Sequence, residues 1–284
     1  MLFKTALAVA TAAGVLLVAG CAQPEGSQWG DQDRCANLKK AYSQETKMAA
    51  CDRLIKTGGE TTENLAIDYN NRARGYLDKE DWQNALNDLD AAIKLRPDYA
   101  YAYNNRGIAH RHLRDLDAAI NDYSDAIMVK SDYAHAYTNR GMAYAQKGEP
   151  DKAIPDFDKA IAIDSGDASN FDSRCYGLAM LGKGQAALPD CDKALQMDAT
   201  DADAWEARAY ANFKAGNLDA AIEDYNAALK INPKLDTSFF GRGVVYAAQG
   251  KTDLAKSDMA AARAINPKID YDMATDKMTA PAGF

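Results

Sequence analysis

Six arginines and six aspartates recur at one interval, and their types and spacing are the first candidates for chemistry. Arg72, Arg106, Arg140, Arg174, Arg208 and Arg242 stand 34 residues apart, and each is followed sixteen residues later by Asp88, Asp122, Asp156, Asp190, Asp224 or Asp258. A guanidinium meets a carboxylate through two parallel hydrogen bonds, which fixes how the segments carrying them approach. The rival use of an arginine row is to bind anions. Because a carboxylate accompanies every arginine, the spacing predicts structural ion pairs within or between neighbouring units.

No motif of nucleophilic, phosphate or metalloprotease chemistry is present: no Gly-x-Ser-x-Gly, no phosphate-cradling glycine loop and no His-Glu-x-x-His. Of the three histidines, His110 stands where Tyr76, Tyr144 and Tyr246 stand in other units, so it is expected to pack in a core. His112 and His135 could approach one another, but a third metal ligand is missing. No enzyme activity, cofactor or metal is expected. A formal charge of −8 and a pI near 5.0 lack the basic footprint that nucleic acid requires.

The interval of 34 organises the whole middle of the chain. Six frames run without insertion: 66–99, 100–133, 134–167, 168–201, 202–235 and 236–269. Each reads as two amphipathic helices joined by a turn. The fourth place is aromatic (Tyr69, Tyr103, Tyr137, Phe171, Trp205, Phe239) and the eighth is small (Ala73, Gly107, Gly141, Cys175, Ala209, Gly243). The twentieth and twenty-seventh are alanine throughout, and the twenty-fourth is large in five of six frames, so two helices can approach closely and fill the space between them. Pro97, Pro233 and Pro267 end second helices. A fixed period of this length is a solenoid signature.

This small–aromatic–alanine–proline pattern closely resembles the tetratricopeptide repeat family. The resemblance covers 204 of 284 residues. It implies an all-α, right-handed superhelical solenoid whose first helices line a concave groove, and a scaffold that binds protein or peptide partners.

Taken in order, residues 1–20 read as a signal peptide: Lys4, then an apolar stretch shorter than the ~20 residues of a membrane span. Val18-Ala19-Gly20-Cys21 resembles a bacterial lipobox, which implies cleavage before Cys21 and its lipidation. Several acyl chains at about 0.8 kcal/mol per buried methylene would hold the protein on a membrane. Ordinary secretory cleavage nearby is the alternative. Ala22 after the cysteine favours, by analogy with enterobacterial sorting, the periplasmic side of the outer membrane. Residues 21–33 are a lipidated cysteine and flexible tether, 34–65 a degenerate hairpin at the N-terminal end, and 270–284 a C-terminal cap and tail, with Met273 and Met278 turned inward.

Extrapolating the frame, Cys35 and Cys51 occupy the eighth and twenty-fourth places, as Cys175 and Cys191 do. Those places face each other across a hairpin, and an exported protein meets an oxidising compartment, so two local disulfides are expected. Zinc would need a different spacing. For Cys175 and Cys191, two reduced core thiols remain the alternative.

In the groove, Asn71, Asn105 and Asn139 hold the sixth place and resemble the asparagine ladder of the O-GlcNAc transferase superhelix, which implies contact with peptide backbone. Asn104 and Arg111 join them, and Tyr176, Tyr210, Phe213 and Phe240 form an aromatic stretch further on. The expected function is a non-catalytic cell-envelope adaptor that binds protein partners and supports assembly of envelope complexes. A self-associating structural subunit and a glycan-binding module are the other readings.

Overall fold

The structure is a computed structural model that describes residues 28–36, 42–275 and 277–283. The leader, Cys21 and most of the tether lie outside them. Fifteen helices and no strand occur among the described residues. A first hairpin, α1 (Gln28–Cys35) and α2 (Gln44–Thr57), precedes six more: α3 (Thr62–Leu77) with α4 (Trp82–Leu95), α5 (Ala100–His112) with α6 (Leu116–Val129), and α7 (Ala134–Lys147) with α8 (Pro150–Ile163). Then come α9 (Ala168–Met180) with α10 (Gly184–Met197), α11 (Ala202–Ala215) with α12 (Leu218–Ile231), and α13 (Asp236–Ala248) with α14 (Thr252–Ile265). A short α15 (Ile269–Thr275) closes the series. Among the described residues no helix is long and apolar enough to cross a membrane.

The turn between paired helices has one conformation. At the fifteenth place of every repeat the backbone is left-handed: φ is 78°, 75°, 84° and 74° at Gly148, Gly182, Gly216 and Gly250. Glycine adopts this at no steric cost. Glu80 and Arg114 hold the same place at φ 56° and 65°, a conformation that disfavours side chains with a Cβ.

Across each hairpin the eighth and twenty-fourth places interlock. A Cβ added to Gly107 would lie 2.6 Å from the Tyr123 ring, and one on Gly141 would lie 2.9 Å from Phe157. Leu89, Tyr123, Phe157, Tyr225 and Met259 fill these sites and are almost wholly buried. Each such side chain contributes about 1.5–3 kcal/mol through burial. In two hairpins a covalent bond replaces the interlock: Cys35 is joined to Cys51 and Cys175 to Cys191, with Cα–Cα separations of 4.9 and 5.2 Å.

Candidate functional site

The arginines and aspartates that recur by sequence are brought together in every repeat. Each arginine donates from Nε and Nη2 to the aspartate sixteen residues on, at 2.6–3.1 Å. The aspartates are buried and the arginines half-buried. Desolvation pushes the Asp88 and Asp122 carboxyls up despite the opposing pull of their arginines. The third nitrogen, Nη1, reaches back to the preceding hairpin at 2.5–3.0 Å. Its acceptors are Asp52, Asp90, Ser124 Oγ, Asp158, Asp192 and Asn226. Every arginine is therefore spent on clamping its own hairpin and stitching it to the one before.

That backward stitch was missed in the sequence, although a signal was there. The twenty-fifth place carries Asp90, Ser124, Asp158, Asp192 and Asn226, and only the last repeat, which no repeat follows, carries an alanine, Ala260.

The concave face has two unlike halves. Over the first three repeats it is an open, polar groove of about 570 Å³, lined by Asn71, Arg74, Tyr101, Asn105, His135 and Asn139, among others. Beneath it lies a row at the fifth place. Asn105 Nδ2 donates to Asn70 Oδ1 at 2.8 Å, and Asn139 Nδ2 donates to Asn104 Oδ1 at 2.9 Å. Asn70 and Asn104 are buried, so Asn104, read from sequence as a ligand contact, is instead the floor that orients Asn139. Each upper asparagine keeps a second amide hydrogen and its carbonyl oxygen for the groove. Along one lip, Tyr99, Tyr101, Tyr133 and His135 meet edge to edge with ring centroids 6.0, 5.0 and 6.1 Å apart.

The second half is not open. Tyr210 and Phe240, expected to face a ligand, are 0 % exposed, and Tyr176 and Phe213 are packed against the same apolar cluster. That cluster also takes in Ile269, Met273 and Met278, so the chain's own C-terminal segment shares the apolar core in which these aromatics are buried. Arg111 lines two clefts beside that segment and lies outside the polar groove. At the sixth place of the last repeat an asparagine is also excluded by packing, since a Cβ at Gly241 would lie 2.3 Å from Tyr225 Oη. His112 stacks flat on Trp82 at 4.3 Å while His135 turns to Tyr133, so the two histidines serve separate contacts. No cluster able to hold a metal exists among the described residues.

The fifth-place row continues as acids, Asp172 and Glu206, which sequence reasoning passed over. Burial pushes both carboxyls up to about 7, with Asp203 as a repulsive neighbour of each. Glu206 accepts from the Thr237 and Ser238 hydroxyls at 2.7 and 2.5 Å. The folded state therefore binds protons more tightly than the unfolded chain, so stability falls as pH rises from about 4.5 towards 7. Glu206→Gln, whose carbonyl can still accept from both hydroxyls, should flatten that slope and raise stability at pH 7.5 by roughly 1–3 kcal/mol. Urea unfolding at pH 5.5 and 7.5 checks this; an unchanged slope counts against it.

Compared with known proteins, tetratricopeptide repeat models match residues 70–132 and 134–167, and a TPR repeat model matches residues 211–250. A tetratricopeptide repeat protein from Parabacteroides merdae has a similar structure, with a TM-score of 0.69 at 17% identity over 88% of this chain and 98% of that one. The Cut9–Hcn1 structure gives 0.63 at 17% over 87% and 53%, and PilW, a type IV pilus biogenesis factor, gives 0.59 at 19% over 74% and 98%. At these identities the likeness is one of fold. A comparison with curated proteins returns no match.

Proposed function

Taking the chain as a tandem array of tetratricopeptide repeats, we propose that it is a non-catalytic adaptor that holds an extended segment of a protein partner along the polar half of its concave face. Repeats of this kind mediate protein–protein contacts. The observation that carries the reading is the asparagine row. Asn105 and Asn139 are each held by a floor asparagine, and every member of the row carries a donor and an acceptor in the arrangement of a peptide bond. Tyr101, 45 % exposed, adds apolar contact at the lip.

In this reading the adaptor works in the cell envelope, anchored through Cys21 on the periplasmic side of the outer membrane, where it supports the assembly of envelope complexes. The lipobox-like end of the leader supports that placement.

Peptides selected from a random library on the wild-type protein test the groove. Asn71→Ala combined with Tyr101→Ala should weaken the selected peptides at least about tenfold, because both side chains reach the groove and neither holds a floor asparagine. Asn105 and Asn139 are poorer choices, since their loss strands a buried carbonyl at a cost of about 1–3 kcal/mol. Unchanged affinity in the folded double variant would move the binding surface elsewhere. In cells, Cys21→Ser should release the same protein from the membrane fraction.

A further inference from the structure

The C-terminal segment is bound as a ligand would be. After Pro267 the chain turns back across the first-helix ends of earlier repeats instead of leaving the array. Arg114 of the second repeat lies over the Tyr271 ring and donates from Nη2 to the Tyr271 carbonyl. Lys277 Nζ donates to the Ala145 carbonyl of the third repeat at 3.1 Å. Lys214 of the fifth donates to the Lys277 carbonyl at 3.2 Å while its Nζ stands 5.1 Å from the Tyr210 ring centroid. Ile269, Met273 and Met278 are buried in the cluster of Tyr210 and Phe240. A segment of about ten residues thus bridges repeats that lie far apart in sequence.

The same segment is weakly built in its own right. Its helix has seven residues, far below the length at which an isolated helix is stable. Tyr271 is 61 % exposed, and clefts of about 430 and about 260 Å³ run between the segment and the wall formed by Arg111, Arg114 and Gln146. Arg114, the side chain that clamps Tyr271, holds a left-handed place where four of the six repeats have glycine. From that place its guanidinium reaches the Tyr271 ring and carbonyl.

We propose that the apolar half of the concave face is a peptide-docking site occupied reversibly by the chain's own C-terminal segment, with Ile269, Met273 and Met278 as its anchors. A partner segment of the same chemistry, with apolar anchors spaced as Ile269, Met273 and Met278, gains the site by displacing them. This rests on the adaptor reading and adds a second, gated subsite to it. The tethered segment competes at an effective concentration of order millimolar, so it raises the apparent dissociation constant of any outside segment.

The probe is a labelled synthetic peptide of residues 266–284. Two full-length proteins are compared with wild type: Arg114→Gly, which relaxes the turn while removing the clamp, and Met273→Asp with Met278→Asp, which disfavours seating of the tail. Both should bind the peptide at least tenfold more tightly than wild type, at unchanged helical content. Hydrogen exchange on the intact wild type gives a second readout. Residues 269–278 should exchange faster than α13, and faster still in Arg114→Gly. Equal peptide affinity in all three folded proteins, or a tail protected as strongly as α13, would overturn the proposal. If library peptides still depend on Asn71 and Tyr101 in that event, the gate alone has failed and the adaptor reading stands.

Discussion

Asp156→Ala should destabilise the array by about 3–5 kcal/mol, whereas Asp90→Ala should cost only about 0.2–1 kcal/mol, although both carboxylates bond an arginine. The difference is burial. Asp156 is 6 % exposed and takes both forks of Arg140 at 2.8 Å, so its removal leaves a guanidinium half-buried with its main partner gone. The Asp90 side chain is 65 % exposed, and water replaces it at Arg106 Nη1 with little loss. Arg140→Lys tests the geometry separately: it keeps the charge but cannot reproduce the fork, and it should lose a large part of what Asp156→Ala loses. Because neighbouring hairpins stabilise one another in such an array, the buried substitution should also split the urea transition, with the third repeat and its neighbours opening first. A loss below 1 kcal/mol for Asp156→Ala would mean that the ladder only decorates the interlock of helices.

The ladder also shows which part of this molecule can be read from sequence. Once the period is known, any two places that recur are tested six times, and Arg72 with Asp88 need only be neighbours in one hairpin to be neighbours in all. The Asn105–Asn70 bond was harder to see, because it joins different places in adjacent repeats and depends on how far one hairpin is rotated against the next. The fate of Tyr210 and Phe240 was not legible at all. Their place pointed to the concave face, and the apolar cluster that buries them takes in a segment outside the repeat, whose path is set by single contacts such as Arg114 with Tyr271 and Lys277 with Ala145. Nothing periodic encodes those contacts.

The second large effect concerns the bond between Cys175 and Cys191. Replacing both with serine should destabilise the oxidised protein by about 3 kcal/mol, the chain-entropy contribution of a closed loop of about 15 residues, with a further cost for burying hydroxyls. The other repeats suggest a control that separates the cross-link from the packing it replaces. In the third repeat the equivalent places are Gly141 and Phe157, the ring of the second lying over the first. Cys175→Gly with Cys191→Phe installs that interlock in the fourth repeat without a covalent bond. If the bond acts mainly by restricting the unfolded chain, this variant should unfold near reduced wild type and show no change on adding reductant, while oxidised wild type stands above both. If packing dominates, the variant should match oxidised wild type. Both sulfurs belong to fully buried residues, so thiol reagents report on them only after unfolding. Protein folded under oxidising conditions, then denatured without reductant, should yield no thiol from Cys35, Cys51, Cys175 or Cys191. Two or more titrating would show that at least one hairpin is held by packing alone.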